Sequence, residues 1–375
     1  MEMNTMINQD RLVNSFMEYV QIGSPSGKEK EFADFIEGEL KNLGLEVYRD
    51  KSREFTGSNT GSIMAKFKGS NNDRSPILFS CHLDTVTPAI GIKPLIRDGV
   101  IYSDGTTILG ADNKAGIATV IEALRVVAEE NIDHGTIELV FSTCEEVGLL
   151  GAKHLEYDRL ESKRAFVLDS DGKPGEVIVQ GPGQDNISAK ILGKAAHAGV
   201  APEEGISAIK IAAQAINNMN LFRIDEETTA NIGIIQGGEA TNIITPEVNI
   251  WGEARSLNED KLNKQSQHMK KVIEDVSQEN GGKAEVNVTR EYHAYKIEES
   301  DEIVDLVRKV SAKLNLDFQA KGSGGGSDTN IFNQKGIKAI NLAIGERKPH
   351  TLEEHIYIED LENAAKLILG IIKLG

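Results

Sequence analysis

Apolar residues near the start of the chain recur at helical spacing. Leu12, Phe16 and Val20 form one stripe, and Phe32, Phe35, Ile36 and Leu40 form a second. Ser24-Pro25-Ser26-Gly27 lies between them, which predicts two helices with Ser26 capping the second. Further on the period shortens. Ile77-Leu78-Phe79, Ile137–Phe141 and Ala165–Leu168 are short continuous apolar runs and read as strands. Between the first two, the stretch from Ile117 to Glu130 places Ile117, Val120, Ile121, Leu124 and Val127 on one helical face. Continuous apolar strands alternating with helices predict an α/β sheet that is largely parallel.

From Gly183 the texture changes. Asn186–Leu192 reads as a strand, Ile206–Met219 as a helix, Ala230–Gln236 and Val248–Glu253 as strands, Asp260–Glu279 as a helix and Ala284–Thr289 as a strand. This is the β-α-β-β-α-β order of a ferredoxin-like unit. A helix at Glu302–Leu314, a glycine-rich loop at Gly322–Ser327, a strand at Ala339–Ile344 and a helix at Glu359–Leu374 then resume the first texture. The expected fold is α/β. A mixed, largely parallel sheet domain spans residues 1–182 and 294–375, and a ferredoxin-like α+β domain is inserted at 183–293. The length of 375 residues agrees with two domains, because one core rarely organises more than about 250–300.

Charge and cysteine content narrow the function. Lys and Arg number 41 against 58 Asp and Glu, a net charge of −17, which argues against a nucleic-acid partner. No apolar run reaches the roughly 20 residues that span a bilayer. Met1 to Arg11 is polar and speaks against a secretory signal. Two cysteines, Cys81 and Cys144, are too few for a disulfide scaffold and read as buried structural thiols. A cytoplasmic protein with reduced thiols is expected.

Metal-type side chains stand where the core strands end. His82 and Asp84 follow Phe79, Glu145 and Glu146 follow Phe141, Asp169 follows Leu168, and His350 follows Ile344. Asp112 stands just before the Ile117 helix. In open α/β sheets the ligand crevice lies beyond the carboxyl ends of the strands, so these side chains are expected to converge. Two His and several carboxylates suit zinc, manganese or cobalt. Two metals about 3.5–4 Å apart need a bridging carboxylate and terminal ligands, which His82, Asp112, Glu146, Asp169 and His350 supply. Glu145 is then free as a general base, and Asp84 is placed to accept the second imidazole N–H of His82. The pairs Glu129-Glu130, Glu203-Glu204 and Glu353-Glu354 read as solvated faces, and His134, His154, His268, His293 and His355 as surface residues.

Ser80-Cys81-His82-Leu83-Asp84-Thr85-Val86, Gly110-Ala111-Asp112-Asn113-Lys114-Ala115-Gly116 and Thr143-Cys144-Glu145-Glu146-Val147-Gly148 resemble the motifs of the M20 metallopeptidases. Leu168-Asp169-Ser170-Asp171-Gly172 and Pro349-His350-Thr351 agree, and within the family the chain looks most like the peptidase T-type aminopeptidases. The resemblance implies two zinc ions (manganese or cobalt also serving) bridged by Asp112. His82 and Asp169 would complete one ion, and Glu146 and His350 the other. Asp171 is an alternative to Asp169; Asp169 is preferred because it ends the strand directly. A cis peptide at Asp112-Asn113 is also implied.

The inserted domain would be the family's lid and dimerisation domain. Lys194-Ala195-Ala196-His197-Ala198-Gly199 resembles the motif whose His stabilises the oxyanion of a neighbouring active site, so a homodimer through the lid is among the expectations. Asn242 and Arg255 look like substrate-binding residues, and the loop with Gly325 and Ser327 like the substrate-binding wall. Arg255 otherwise reads as half of a surface ion pair. The expected activity is metal-dependent hydrolysis of short peptides, releasing the N-terminal residue of tripeptides. Carboxypeptidase or N-acyl amino acid amidohydrolase activity is the alternative within the fold, and a metal-binding protein without turnover the alternative outside it.

Overall fold

The structure is a computed structural model and describes residues 7–375. The chain forms two compact units. One takes in the described residues up to Val179, then Lys296–Gly322 and Ser327–Gly375; the other is Gln180–Tyr295 with Ser323–Gly326.

At the centre of the first unit the strands Ile137–Ser142, Ile77–His82, Arg164–Ser170 and Lys338–Ala343 lie side by side and parallel. Ile63–Phe67 joins one side and Glu176–Gly181 the other, both antiparallel. Alternate residues face opposite cores. Ile77, Phe79, Leu139, Phe141, Phe166 and Leu168 pack against the helices Gln9–Gln21, Ala111–Glu129, Glu302–Leu314 and Ile358–Leu374. Leu78, Val140, Ala165 and Val167 pack on the other face with Phe332 and Ala339. Burial on both faces is why these strands read as unbroken apolar runs. Ile77–His82 runs three residues past the expected end, because Ser80, Cys81 and His82 keep the parallel ladder with Val140, Phe141 and Ser142.

Local chemistry overturns three smaller expectations. Ser26 does not cap the second helix, Lys30–Asn42, whose N-cap position is Glu29; its hydroxyl donates to Asp84 Oδ2 at 2.7 Å. His134 is buried and stacks on Phe67, so it is not a surface residue. Glu354 is buried instead of solvated, and its partners are described with the site. Among the described residues no helix is long and apolar enough to cross a membrane.

A small antiparallel sheet of Glu346–Arg347, His355–Tyr357, Val100–Tyr102 and Leu95–Arg97 holds both ends of the loop that carries His350. The Ala111–Glu129 helix starts earlier than expected. Its first turn is interrupted by extended backbone at Asp112 and a cis peptide between Asp112 and Asn113. Gly116 permits the close approach of this helix to the sheet, since a Cβ there would lie 2.7 Å from the carbonyl oxygen of Leu168.

The second unit is an antiparallel sheet in the order Thr228–Gly237, Glu247–Ser256, Gly183–Leu192, Lys283–Tyr292, with Phe222-Arg223 at the edge. The helices Ala208–Asn218 and Glu259–Glu279 cover one face. Ile187, Ala189, Ile191, Val248 and Ile250 meet Ile211, Met269 and Ile273 there. The element order is the ferredoxin-like one, and the alternation of more and less buried positions along Gly183–Leu192 and Lys283–Tyr292 follows from one covered face.

Candidate active site

Five ligand-type side chains meet in the first unit. His82 Nε2 lies 2.9 Å from Asp112 Oδ1 and 3.2 Å from Asp169 Oδ1. His350 Nε2 lies 3.2 Å from Asp112 Oδ2 and 3.1 Å from Glu146 Oε2. Each oxygen of Asp112 therefore faces a different histidine. The strand ends account for the placement: His82 is the last residue of its strand, Asp169 lies near the end of the next, and Glu145-Glu146 follow the strand ending at Ser142. Asp169 is pinned by Asn341, which accepts its N–H at 2.9 Å and donates to its carbonyl at 2.8 Å, and Asn113 Nδ2 donates to its carboxylate at 2.5 Å. Asp171 is exposed.

Asp84 works mainly through a neighbouring turn. His82 Nδ1 lies 2.8 Å from the carbonyl oxygen of Asp84 and 3.6 Å from its carboxylate, so the main-chain oxygen makes the shorter contact. The carboxylate instead accepts the N–H groups of Glu145 (2.9 Å) and Glu146 (3.2 Å) and the hydroxyl of Ser26. Glu29, also buried, accepts the N–H of Cys144 at 3.1 Å. Two buried carboxylates thus hold the turn that presents Glu145 and Glu146. Glu354 does the same for Asp112, accepting the N–H groups of Leu109 and Gly110 at 2.7 Å and of Asp112 at 3.0 Å. Its signal in the sequence is period-two spacing: Glu354 shares a face with buried Ile356 at the start of a strand.

Charge in this pocket is unbalanced. Glu145, Glu146, Asp112, Asp169, Asp328 and Glu346 are set against two imidazoles. Burial pushes Glu145 well above the usual carboxylate range, and the charge of Asp169 adds to it. Burial raises Asp169 and Glu146 as well, the latter against its bond to His350. Burial pushes Asp328 up to about 7, although the Ser142 hydroxyl donates to it. Bonds to Asp112 and Glu146 raise His350 to about 10. Among the described residues, the buried Glu146 Oε1, Asp328 Oδ1 and Glu346 Oε2 have no hydrogen-bond partner. Donor atoms of His82, Asp112 and Glu146 lie within 4.8 Å of one another, as do those of His82, Glu145 and Asp169. An excess of buried carboxylate oxygens beside imidazole nitrogens, three of these oxygens unpartnered, is the donor chemistry that fits divalent cations. Neither thiol joins it: Cys81 and Cys144 are free and buried, and Cys144 Sγ donates to Glu29.

His197, Asn242, Arg255 and Gly325 belong to the second unit. His197 is exposed, and its backbone bridges that of Ile243, which brings it beside Asn242. Its Nδ1 accepts the N–H of Gly199, so in the neutral ring the proton sits on Nε2, which is left as a donor. Arg255 makes the ion-pair geometry that the sequence reading held as its alternative, a two-toothed contact with Glu253 at 2.9 and 3.0 Å. Gly324 and Gly325 are exposed, and Gly325 N–H donates to Ser323 Oγ. Ser327 is buried and caps the Asp328–Gln334 helix.

Residues 78–374 match the model of peptidase family M20/M25/M40. The chain belongs to this family. The solved structure of aminopeptidase PepT from Bacillus cereus ATCC 10987 is similar at a TM-score of 0.91 and 46% identity, covering 98% of this chain and 99% of that one. A tripeptidase from Staphylococcus aureus gives a TM-score of 0.95 at 42% identity, with the same coverage of 98% and 99%. The Bacillus subtilis (strain 168) protein YqjE is 44% identical over 368 residues, 98% of this chain and 99% of its own. Membership of M20/M25/M40 agrees with the resemblance read from the motifs and makes the chain a peptidase.

Proposed function

We propose that this M20/M25/M40 peptidase is a two-metal aminopeptidase that removes the N-terminal residue of short peptides, tripeptides above all. The observation that carries the reading is the Asp112 carboxylate, with one oxygen toward His82 and the other toward His350. His82 and Asp169 would hold one ion with Asp112, and Glu146 and His350 the other. Zinc is the proposed metal, with manganese or cobalt as substitutes. Two cations held by these residues would supply Lewis-acid polarisation of the scissile carbonyl and a water of lowered pKa. Glu145 takes the proton of the attacking water and delivers it to the leaving amine. His197 Nε2 donates to the developing oxyanion. If His197 serves a neighbouring copy, a homodimer through the lid follows. The free thiols Cys81 and Cys144 support a cytoplasmic site of action.

The choice of end rests on the similar solved structures, an aminopeptidase and a tripeptidase. A tripeptide of three different residues, incubated with the protein and zinc or manganese, should release its N-terminal residue, as read by mass spectrometry. Release of the C-terminal residue, or no cleavage, would overturn the reading in favour of a carboxypeptidase or an acyl-amidohydrolase. Within this reading Arg255 exchanges Glu253 for the free carboxylate of the substrate, since its fork fits either. Arg255→Leu should raise KM for tripeptides by about 10–100-fold, the worth of a charged hydrogen bond, and leave C-terminally amidated peptides unchanged. Equal KM values for the acid in both proteins would remove Arg255 from the binding site.

A further inference from the structure

The turn that presents Asp112 is organised around one side chain. Gly110 adopts a left-handed conformation with φ 76°. Successive N–H groups in such a turn converge on a concavity that favours an anion. Here the anion belongs to the protein: Glu354 Oε2 accepts from Leu109 and Gly110, and Oε1 accepts from Asp112. Glu354 is 1% exposed, so water does not compete for these bonds.

The other end of the same side chain belongs to the His350 loop. Glu354 stands four positions after His350 and directly before the His355–Tyr357 strand, which is paired on both edges. His350 lies on a left-handed backbone with φ 63°, and its side chain is 53% exposed. Packing alone does little to fix such a residue. Within the loop, Thr351 Oγ1 donates to the carbonyl of Lys348 and accepts the N–H of Glu353, and Glu354 N–H donates to the carbonyl of Thr351, which ties these local bonds to Glu354. A buried carboxylate therefore joins the turn carrying the residue between the histidines to the loop carrying one of them.

We propose that Glu354 is a positioning residue for the metal centre: it locks the Leu109–Asp112 turn to the His350 loop, so that Asp112 and His350 are already at ligating separation before a cation arrives. This inference rests on the two-metal reading above. Pre-set ligands bind tighter because the ordering cost has been met during folding. Residues that orient ligands without touching the ion typically contribute 10–100-fold to affinity or activity.

Glu354→Gln keeps the shape and one acceptor oxygen. It can still take the N–H groups of Leu109 and Gly110 but turns an NH2 toward the N–H of Asp112. Glu354→Ala removes all three bonds. Glu138→Gln is the matched control. Glu138 is equally buried and accepts the N–H groups of Glu161 and Ser162, but it lies near the opposite end of the strand that leads to Glu145. Zinc affinity is read by competition with a chromophoric chelator, and amide hydrogen exchange is followed over residues 109–112. Glu354→Gln should bind zinc about 10–100-fold more weakly, exchange faster at the Asp112 amide, and lower kcat for a tripeptide with KM nearly unchanged. Glu354→Ala should go further, and Glu138→Gln should keep wild-type zinc affinity. If Glu354→Ala does not fold, Glu354→Gln still decides. Wild-type zinc affinity in a folded Glu354→Gln would make the residue a buried structural acid and overturn the inference. A wild-type chain that binds fewer than two zinc ions is a different result, and it overturns the two-metal reading itself.

Discussion

Glu145→Gln should keep both metals and lose about 10²–10⁴-fold in kcat, the usual worth of a positioned base. Position and proton chemistry are separable at this residue. The backbone of Glu145 is held by its N–H bond to Asp84 Oδ1, which the substitution leaves intact. Glutamine has the same volume, so the packing of this nearly buried side chain is kept. What disappears is the ability to accept a proton from water. Glu146→Ala should behave differently, because it removes an oxygen that faces His350, and both zinc content and turnover should fall. The measurement is kcat on a tripeptide beside zinc content by mass spectrometry for each variant. Full turnover in Glu145→Gln would place the base elsewhere. Loss of zinc in Glu145→Gln would make Glu145 a ligand, the competing role suggested by its closeness to His82 and Asp169.

The site was legible because four of its residues follow apolar strands. A buried parallel strand needs no polar alternation, so Ile137–Phe141 and Ala165–Leu168 stand out, and the first charged residues beyond them mark the carboxyl edge of the sheet. Side chains that support those residues were not legible, because their partners are distant in sequence. Ser26 looks like a helix cap until the fold brings Asp84 within 2.7 Å of it, 58 positions away. Glu354 looks like half of a solvated pair until three N–H groups, more than 240 positions earlier, close around it. Ser80 and Cys81 lie beyond the apolar run that ends at Phe79, yet the ladder to Val140 and Phe141 carries them on as strand. Buried polar groups are satisfied by whatever the fold brings near. That information lies in the tertiary structure, whereas an apolar run declares its own burial.

Asp112→Asn should abolish binding of both zinc ions, a larger loss than any change to the residues that merely orient it. Asp112 alone, among the ligand-type residues described here, has an oxygen toward each histidine. Asparagine keeps the size and one acceptor oxygen but replaces the other with an NH2 that can ligate nothing. It also removes the negative charge from the middle of the cluster. Neither half of the site would keep its full ligand set. Zinc that binds the folded chain stabilises it by mass action, by about 2.7 kcal/mol for each site at a hundredfold excess over Kd. Calorimetric unfolding should therefore shift upward with added zinc in the wild type and stay put in Asp112→Asn, while tripeptide turnover falls to background. Asp171→Asn serves as the comparison: its side chain is exposed, and it should shift with zinc as the wild type does, whereas Asp169→Asn should lose most of the shift. A zinc-dependent shift of wild-type size in Asp112→Asn would mean that the two histidines hold their ions without a shared carboxylate. Equal losses in the Asp169 and Asp171 variants would mean that strand position alone does not choose the ligand.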